Sequence, residues 1–375
     1  MTRGGWRAAQ NPEVPGPPAA RHTRDPAMPL LLSDFDYELP SAQIAQHPLP
    51  DRAASRLLVL DRATGGGGGG AIAHRHFADV VGLIPAGDVL VINTSRVIPA
   101  QLLGHRASGA AAEILLVREL EDRAWLAMGH PGGKLKPGRR VTFGTDSAVE
   151  IVAVLGGGLR KIRFVGALDA AATLAKYGAV PLPPYIHRAP VAADRERYQT
   201  VYAEHDGSVA APTAGLHFTP DVLGRLEARG VAIARLDLHV GPGTFKPVET
   251  DDLAAHTMHP EAFEIPDVAA GVINAAKRAG RAVWAVGTTV VRALESAADA
   301  HGQVRAARGE TTLFIRPPYD FKIVGRMLTN FHLPRSTLLM LVCAFGGYER
   351  VMAAYREAVR DGYRFYSYGD AMVIV

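Results

Sequence analysis

The chain has 375 residues, 48% hydrophobic and 21% charged, with a formal net charge of +4 and one cysteine. That length exceeds one small core and suits two domains, or one large domain carrying an insertion, while the small net charge confines any nucleic-acid contact to a local patch. No run of about eighteen uninterrupted apolar residues occurs, which argues against a membrane span. The lone Cys343, inside LLMLVCAF, excludes an internal disulfide and cysteine-rich zinc sites and fits a reducing cytoplasm.

Residues 1–29 mix prolines, arginines and small residues without periodicity and lack the apolar stretch of a secretory signal, so they read as a disordered basic arm with no role in the fold. From Asp34 a short helical pattern ends at prolines, and a strand follows at Leu57 to Leu60. The glycine run from Gly65 to Gly70 lacks the lysine and spacing of a phosphate-binding loop and reads as a hairpin tip. DVLVIN, residues 88–93, is apolar on both faces and predicts a buried strand, with Arg96 in the loop after it.

Between about residues 97 and 168 the texture changes to short β-rich runs separated by glycine-containing turns, which predicts an inserted small β-barrel. Its loop HPGGKLKPGRR carries Lys134, Lys136, Arg139 and Arg140, which could grip a phosphate backbone or be simply solvated. Residues 30–96 and 169–375 then form a discontinuous α/β domain around the insertion.

The stretch GSVAAPTAGLHFTPD, residues 207–221, is the center of interest. Small residues run into Leu216, His217 and Phe218, after which Thr219 reads as a helix cap, Pro220 as the first helical residue and Asp221 as a first-turn acid. Small residues before a helix let backbone N–H groups approach an anion, although a tight loop with a packed histidine has the same pattern. The helix ends at Gly230. VAIARLDLHV then predicts a strand with Arg235, Asp237 and His239 on one face, and the loop GPGTFKPVE offers Gly241, Gly243, Phe245 and Lys246.

A helix from Asp267 is expected to turn Val268, Val272, Ile273 and Ala276 inward. Strand RAVWAV leads into Gly287, Thr288 and Thr289 at a helix start, a plausible anion seat, with Arg292 and Glu295 sharing one face of that helix. His332 lies in TNFHLPRST before a buried helix capped by Ser336. An amphipathic helix from Tyr348 stops at Gly362, and YRFYSYGDAMVIV gives a loop and the closing strand.

The titratable candidates are His217, Asp237, His239, His256, His259, Glu261, Glu295 and His332. HTMHPE could hint at a metal, but Pro260 interrupts a metal-binding helix, and neither an HExxH motif nor a GxSxG elbow is present. On the residues alone this is an α/β enzyme that binds something anionic.

The order RYQTVYA, GSVAAPTAGLHFT, LHVGPGTFKPV, MHPE, AVGTTVVRALES, LTNFHLPRSTLLMLV and YRFYSYGDAM resembles the S-adenosylmethionine:tRNA ribosyltransferase-isomerase family from Asp34 to the C-terminus. The chain departs from the family's pattern at Cys343, Pro318 and Thr94. The resemblance implies transfer and isomerisation of the ribosyl moiety of S-adenosylmethionine onto 7-aminomethyl-7-deazaguanine at the tRNA wobble position, giving epoxyqueuosine-tRNA, adenine and methionine.

S-adenosylmethionine is then a co-substrate, with no true cofactor and no metal, and a cytoplasmic monomer acting on tRNA is expected. His217 and His239 lead as proton carriers, with Asp237 supporting His239 and His332 and Glu295 as second choices. Thr213, Gly215, Phe218, Gly241, Gly243, Phe245, Gly287, Thr288, Thr289, Arg292 and Tyr366 are the substrate-binding candidates. Arg96, Lys134, Lys136, Arg139 and Arg140 are the tRNA contacts. The rival readings are a non-catalytic tRNA-binding protein and a metal-dependent hydrolase using His256 and His259.

Overall fold

The computed structural model of the chain describes residues 30–63, 71–241 and 251–375. The arm at 1–29 and the glycine run therefore lie outside the described residues. The helical pattern expected near Asp34 is three isolated 3-10 turns, Leu32–Phe35, Ser41–Gln43 and Arg52–Ala54, because Pro40, Pro48 and Pro50 deny the segment helical donors. Strands β1 (Arg56–Asp61) and β2 (Ala71–His76) pair antiparallel. The short helix α1 (Val80–Leu83) leads to β3 (Val89–Asn93), every residue of which is buried, and β4 (Ser95–Val97) leaves the sheet.

Six strands then close a barrel: β5 (Gln101–Arg106), β6 (Ala111–Glu119), β7 (Ala124–His130), β8 (Arg140–Phe143), β9 (Ser147–Val154) and β10 (Leu159–Phe164). Their spatial order is β5-β6-β7-β10-β9-β8, and β8 returns to β5. Leu102, Ile114, Val141, Ile151 and Ile162 fill the interior. At the closing seam Gly104 leaves no room for a side chain, since a Cβ there would lie 2.4 Å from the Thr142 carbonyl oxygen and 2.6 Å from the Phe143 ring. Helix α2 (Ala170–Tyr177) and β11 (Gly178–Ala179) follow, and β11 pairs with β5, so the barrel's backbone pairing runs past residue 168. Residues 31–375 form one compact unit.

The rest of the chain comprises α3 (Asp194–Arg197), β12 (His205–Ser208), α4 (Pro220–Ala228), β13 (Ala232–Leu238), β14 (Glu261–Ile265), α5 (Asp267–Arg278), β15 (Val283–Val286) and α6 (Thr288–Ser296). It ends with β16 (Ala307–Thr311), β17 (Arg326–Asn330), α7 (Thr337–Gly346), α8 (Tyr348–Arg360) and β18 (Ala371–Ile374). β12 lies parallel to β4. The nine-stranded main sheet has the order β16-β14-β13-β3-β15-β17-β18-β1-β2. Its middle four strands, β13, β3, β15 and β17, are mutually parallel, so their carboxyl ends share one edge.

Local signals set these elements. The Thr219 hydroxyl accepts from the Val222 N–H at 3.2 Å, Pro220 opens α4, and Gly230 ends it at φ +83°. The Ser336 hydroxyl likewise caps α7. One expectation fails: Val268 is 78% exposed, whereas Ile273 is buried as expected and α5 buries Ala269 and Ala270 beside it. Proline at its N-cap starts the helix with Asp267 and Val268 turned to solvent. Under the sheet the Trp284 indole donates to the buried Asp88 carboxylate at 2.8 Å, tying β15 to the start of β3. Among the described residues, no single helix is long and apolar enough to cross a membrane.

Gly104→Ala is expected to destabilise the protein by about 1–3 kcal/mol, the range for overpacking a filled core. Gly82→Ala, where nothing lies within 4 Å of the added carbon, is expected to be neutral or slightly stabilising. Urea unfolding midpoints of the two variants test the seam, and equal midpoints would show that it tolerates a methyl group.

Candidate active site

A cavity with about 720 Å³ of empty space, counted out to its mouth, opens at the carboxyl edge of β15 and β17, where open α/β sheets place their ligands. Four stretches of chain build most of it, with Tyr185 and Val240 added from elsewhere. Residues 210–214 pass over the edge into a 3-10 turn. Gly287, at φ +91°, swings the chain from β15 into α6, so Thr288 and Thr289 sit at the helix start. A Cβ at 287 would sit 3.6 Å from the Ala214 Cβ, and its backbone conformation is one that L side chains rarely adopt. Thr329 to Leu333 leave the end of β17, and Tyr366 and Ser367 precede β18.

The lining combines an aromatic wall with isolated polar atoms. The Tyr185 and Tyr366 rings stack at 4.4 Å, and Tyr366 holds a positive φ of 70°. Thr289 Oγ1, Asn330 Oδ1 and the Tyr366 hydroxyl are buried without a hydrogen-bond partner among the described residues. An unpaired buried polar atom costs about 1–3 kcal/mol, and these three belong to residues that line the one cavity. The lining carries no carboxylate, lysine or arginine among the described residues.

His332 is the histidine of this lining. It is 9% exposed; its Nε2 lies 2.8 Å from Thr329 Oγ1, its backbone N–H donates to the Tyr355 hydroxyl, and its carbonyl accepts from Tyr37. Burial lowers its pKa to about 3, so the ring is neutral near pH 7.

His217 stands behind the wall. It is 4% exposed, stacks on Phe77 at 5.1 Å, and has both ring nitrogens engaged: Nδ1 with Ser55 Oγ at 2.7 Å and Nε2 with Asn330 Nδ2 at 3.0 Å. Burial, followed by the charges of Arg52 and Arg364, lowers its pKa to about 3. It borders a small neighbouring cleft with Arg52 and Ser367. A histidine so engaged acts on the cavity only through Asn330.

The other proposed residues divide sharply. Thr213, Gly287, Thr288, Thr289 and Tyr366 line the cavity with His332. Phe218 does not: it is fully buried, edge-on to Phe77 at 4.9 Å. A Cβ on Gly215 would meet the Tyr202 hydroxyl at 2.2 Å, so that glycine serves packing. Gly241, which follows Val240 of the lining but is not itself part of it, donates to the Glu261 carboxylate at 3.3 Å, and Gly243, Phe245 and Lys246 lie outside the described residues.

Arg292, read as an anion holder, is instead buried against Glu261 and donates to the carbonyls of Leu313 and Thr311. Glu295 accepts three backbone N–H groups, from Lys322, Ile323 and Val324, and so fixes a loop. The expected support of His239 by Asp237 is replaced by another pairing. Asp237 accepts from His205 Nδ1 at 2.7 Å and from Thr94 Oγ1 at 2.8 Å, whereas His239 Nδ1 has no partner among the described residues. Burial lowers the His239 pKa, and its ring packs on Gly207, where a Cβ would come within 2.6 Å of Nδ1.

Glu261 spends its carboxylate on Arg292, and His256 packs edge-on to Phe314, so HTMHPE does not assemble as a ligand set. The one group of His, Asp and Glu close enough to share an ion among the described residues is His74, Glu357 and Asp361, where both nitrogens of His74 already have partners.

Cations gather elsewhere. Lys134, Lys136, Arg139 and Arg140 are exposed around a recess of the barrel together with Arg106; Arg140 also donates twice to Glu150. Arg96 lines a wide cleft with Arg52 and Arg195 where β4 leaves the sheet. It also faces Asp206 at 3.6 Å. The sequence reading passed over Asn330, Tyr185, His205 and Ser55. Asn330 had a readable signal, an amide closing an apolar strand one step before Phe331 and His332, but the partners across the fold had none.

Residues 32–374 match the model of the family described as queuosine biosynthesis protein. The S-adenosylmethionine:tRNA ribosyltransferase-isomerase of Anaeromyxobacter dehalogenans is 53% identical over 353 residues, covering 92% of this chain and 99% of that one. The enzyme of the same name from Moorella thermoacetica is 49% identical over 351 residues, covering 92% and 100%. The crystal structure of S-adenosylmethionine tRNA ribosyltransferase from Thermotoga maritima, at 37% identity, covers 92% of this chain and 100% of that chain with a TM-score of 0.52. A match running from Leu32 to Ile374, through every strand whose end borders the cavity, makes this chain a member of the queuosine biosynthesis protein family.

Proposed function

We propose that the chain is an S-adenosylmethionine:tRNA ribosyltransferase-isomerase, moving the ribosyl group onto the aminomethyl group of 7-aminomethyl-7-deazaguanine in tRNA and releasing adenine and methionine. The observation that carries this reading is the cavity bordered by Thr289, Asn330, His332 and Tyr366, in a chain about half identical to enzymes of that name along nearly its whole length. The donor brings a planar base, which suits an aromatic wall, and a sulfonium, which the described lining, free of lysine and arginine, does not repel.

The amine that takes up the ribosyl moiety resembles lysine, with a pKa near 10.4. Stripping its proton at pH 7 costs roughly 4–5 kcal/mol before any bond forms. The departing adenine needs a proton in return. His332, neutral in its buried setting, accepts the proton from the amine and passes it to the leaving base, so that no lasting charge is stored in the cavity. Its weak basicity means that it holds a proton only while negative charge develops beside it. S-adenosylmethionine is thus a consumed co-substrate.

For tRNA, a wobble base must be splayed out of its loop to enter the cavity. We assign the backbone to the two cationic surfaces, Arg52, Arg96 and Arg195 at the cleft and the Lys134 to Arg140 loop on the barrel, with residues 97–168 as a docking domain set into the catalytic α/β domain. The enzyme acts as a cytoplasmic monomer on this reading.

His332→Ala is expected to slow single-turnover ribosyl transfer by on the order of 10²–10⁴-fold while leaving the thermal midpoint near that of the parent chain. A near-normal rate in a folded variant would remove His332 from proton transfer. Neutralising Lys134, Lys136 and Arg139 together is expected to flatten the logarithmic salt dependence of tRNA affinity by about 0.7 per lost contact. An unchanged slope would show that the barrel loop does not touch the RNA.

A further inference from the structure

We infer that the side-chain carbonyl of Asn330 reads an amino group on the edge of the donor's nucleobase, and that His217 is the positioning residue keeping that carbonyl turned toward the cavity. The inference rests on the ribosyl-transfer reading of the cavity and adds to it the feature that selects the base.

Asn330 is 2% exposed at the end of β17. Its Nδ2 donates to three acceptors, His217 Nε2 at 3.0 Å, the Tyr366 carbonyl at 3.1 Å and, more weakly, the Asp370 carbonyl at 3.4 Å. Turning the amide over would set its oxygen against two carbonyl oxygens and a ring-nitrogen lone pair, so its orientation is fixed. Nε2 of His217 must then accept, which leaves its proton on Nδ1 for Ser55 Oγ; that hydroxyl donates onward to the Arg52 carbonyl at 3.2 Å. With the amino side of the amide turned to His217, Oδ1 is left buried and without a partner among the described residues, on a residue that lines the cavity.

Asn93, at the corresponding end of β3, shows that an amide there need not be orphaned. Its Nδ2 donates to the Leu238 carbonyl, and its Oδ1 accepts from the N–H groups of Leu238 and Ser95. The unpaired acceptor of Asn330 therefore answers to something that enters the cavity. Beside it lie the Tyr185–Tyr366 stack and the unpartnered Tyr366 hydroxyl. A fixed acceptor and a hydroxyl next to an aromatic wall complement a flat heterocycle that presents a donor and an acceptor on one edge, as a 6-aminopurine does. A 6-oxopurine would set oxygen against oxygen.

The test compares three donors on the full chain with modified tRNA: S-adenosylmethionine, its 6-oxo (hypoxanthine) counterpart, and its 6-unsubstituted purine counterpart. Wild-type kcat/KM is expected to fall at least about 100-fold for the oxo donor, and less for the unsubstituted one, because a site built around a hydrogen bond rejects an analogue that cannot make it. Oxo and amino donors turned over within threefold of each other would overturn the inference while leaving ribosyl transfer intact. Turnover of none of them overturns both readings.

His217→Ala is expected to narrow the amino-to-oxo ratio several-fold through KM, and His217→Gln, whose side-chain oxygen can still accept from Asn330, to restore much of it. A ratio unmoved in a folded His217→Ala variant would remove His217 from the assignment. These readouts separate a positioning histidine from one that merely packs.

Discussion

The parallel alignment of β13, β3, β15 and β17 is the constraint on which the site depends. Strands that run the same way must all leave the sheet at one edge, and each is followed here by a segment with polar business: Thr94 after β3, His239 after β13, Gly287 to Thr289 after β15, and Phe331 to Leu333 after β17. None of these segments could build a cavity alone. The sheet can hold them in fixed register because β3 is buried on both faces and Trp284 anchors β15 to Asp88. Parallel strands covered on both faces read as unbroken apolar runs, which is why DVLVIN and AVWAV carry no alternation.

Burial sorts the histidines into different trades. His217 and His332 are both held neutral by desolvation, but the chemistry open to each depends on what its nitrogens already touch. His217 has a partner on either side and is stacked on Phe77, so moving a proton through it would mean breaking a completed network. His332 has its backbone pinned at both N–H and carbonyl by tyrosines, a device that fixes where the ring sits while leaving the ring itself at the cavity. Asp237 and His205 form a third arrangement, a buried carboxylate orienting an exposed imidazole, in which the pleat brought Asp237 to the right edge but a different strand supplied its partner.

The elements with strong local chemistry were legible in the amino-acid sequence. Thr219 and Pro220, Ser336 and Gly230 mark helix ends through short-range hydrogen bonds and backbone freedom, and the glycine-spaced β runs after residue 97 announce a barrel. Val268 shows the limit of periodicity at a helix start, where the first turn has not yet come down onto the sheet. Site residues were most legible where the signal was an element end, as at Gly287 to Thr289, and Tyr366 was the exception, a loop residue read correctly into the lining. Arg292 and Glu295 looked available because a sequence shows charges but not the buried Glu261 or the loop N–H groups that consume them. Asn330 was overlooked because what distinguishes it is an unsatisfied atom, a property that exists only once His217 and two distant carbonyls have taken the other half of its amide.

The distribution of charge gives the last step. Among the described residues the cavity wall carries no carboxylate, lysine or arginine, whereas the barrel recess and the cleft beside β4 gather arginines and lysines. The cavity and the wide cleft, though not the barrel recess, are linked through shared residues: Ser367 borders both the cavity and the small cleft of His217, and Arg52 borders both that cleft and the wide cationic one. On the proposed reading, phosphates held along the arginines of the cleft would lie near the cavity that takes the splayed base. Cations inside the cavity would oppose a sulfonium donor, and a neutral outer surface would give up the counterion release that drives RNA binding. On the proposed reading, segregating the two would let one chain with a net charge of only +4 hold a polyanion and a cationic sugar donor side by side.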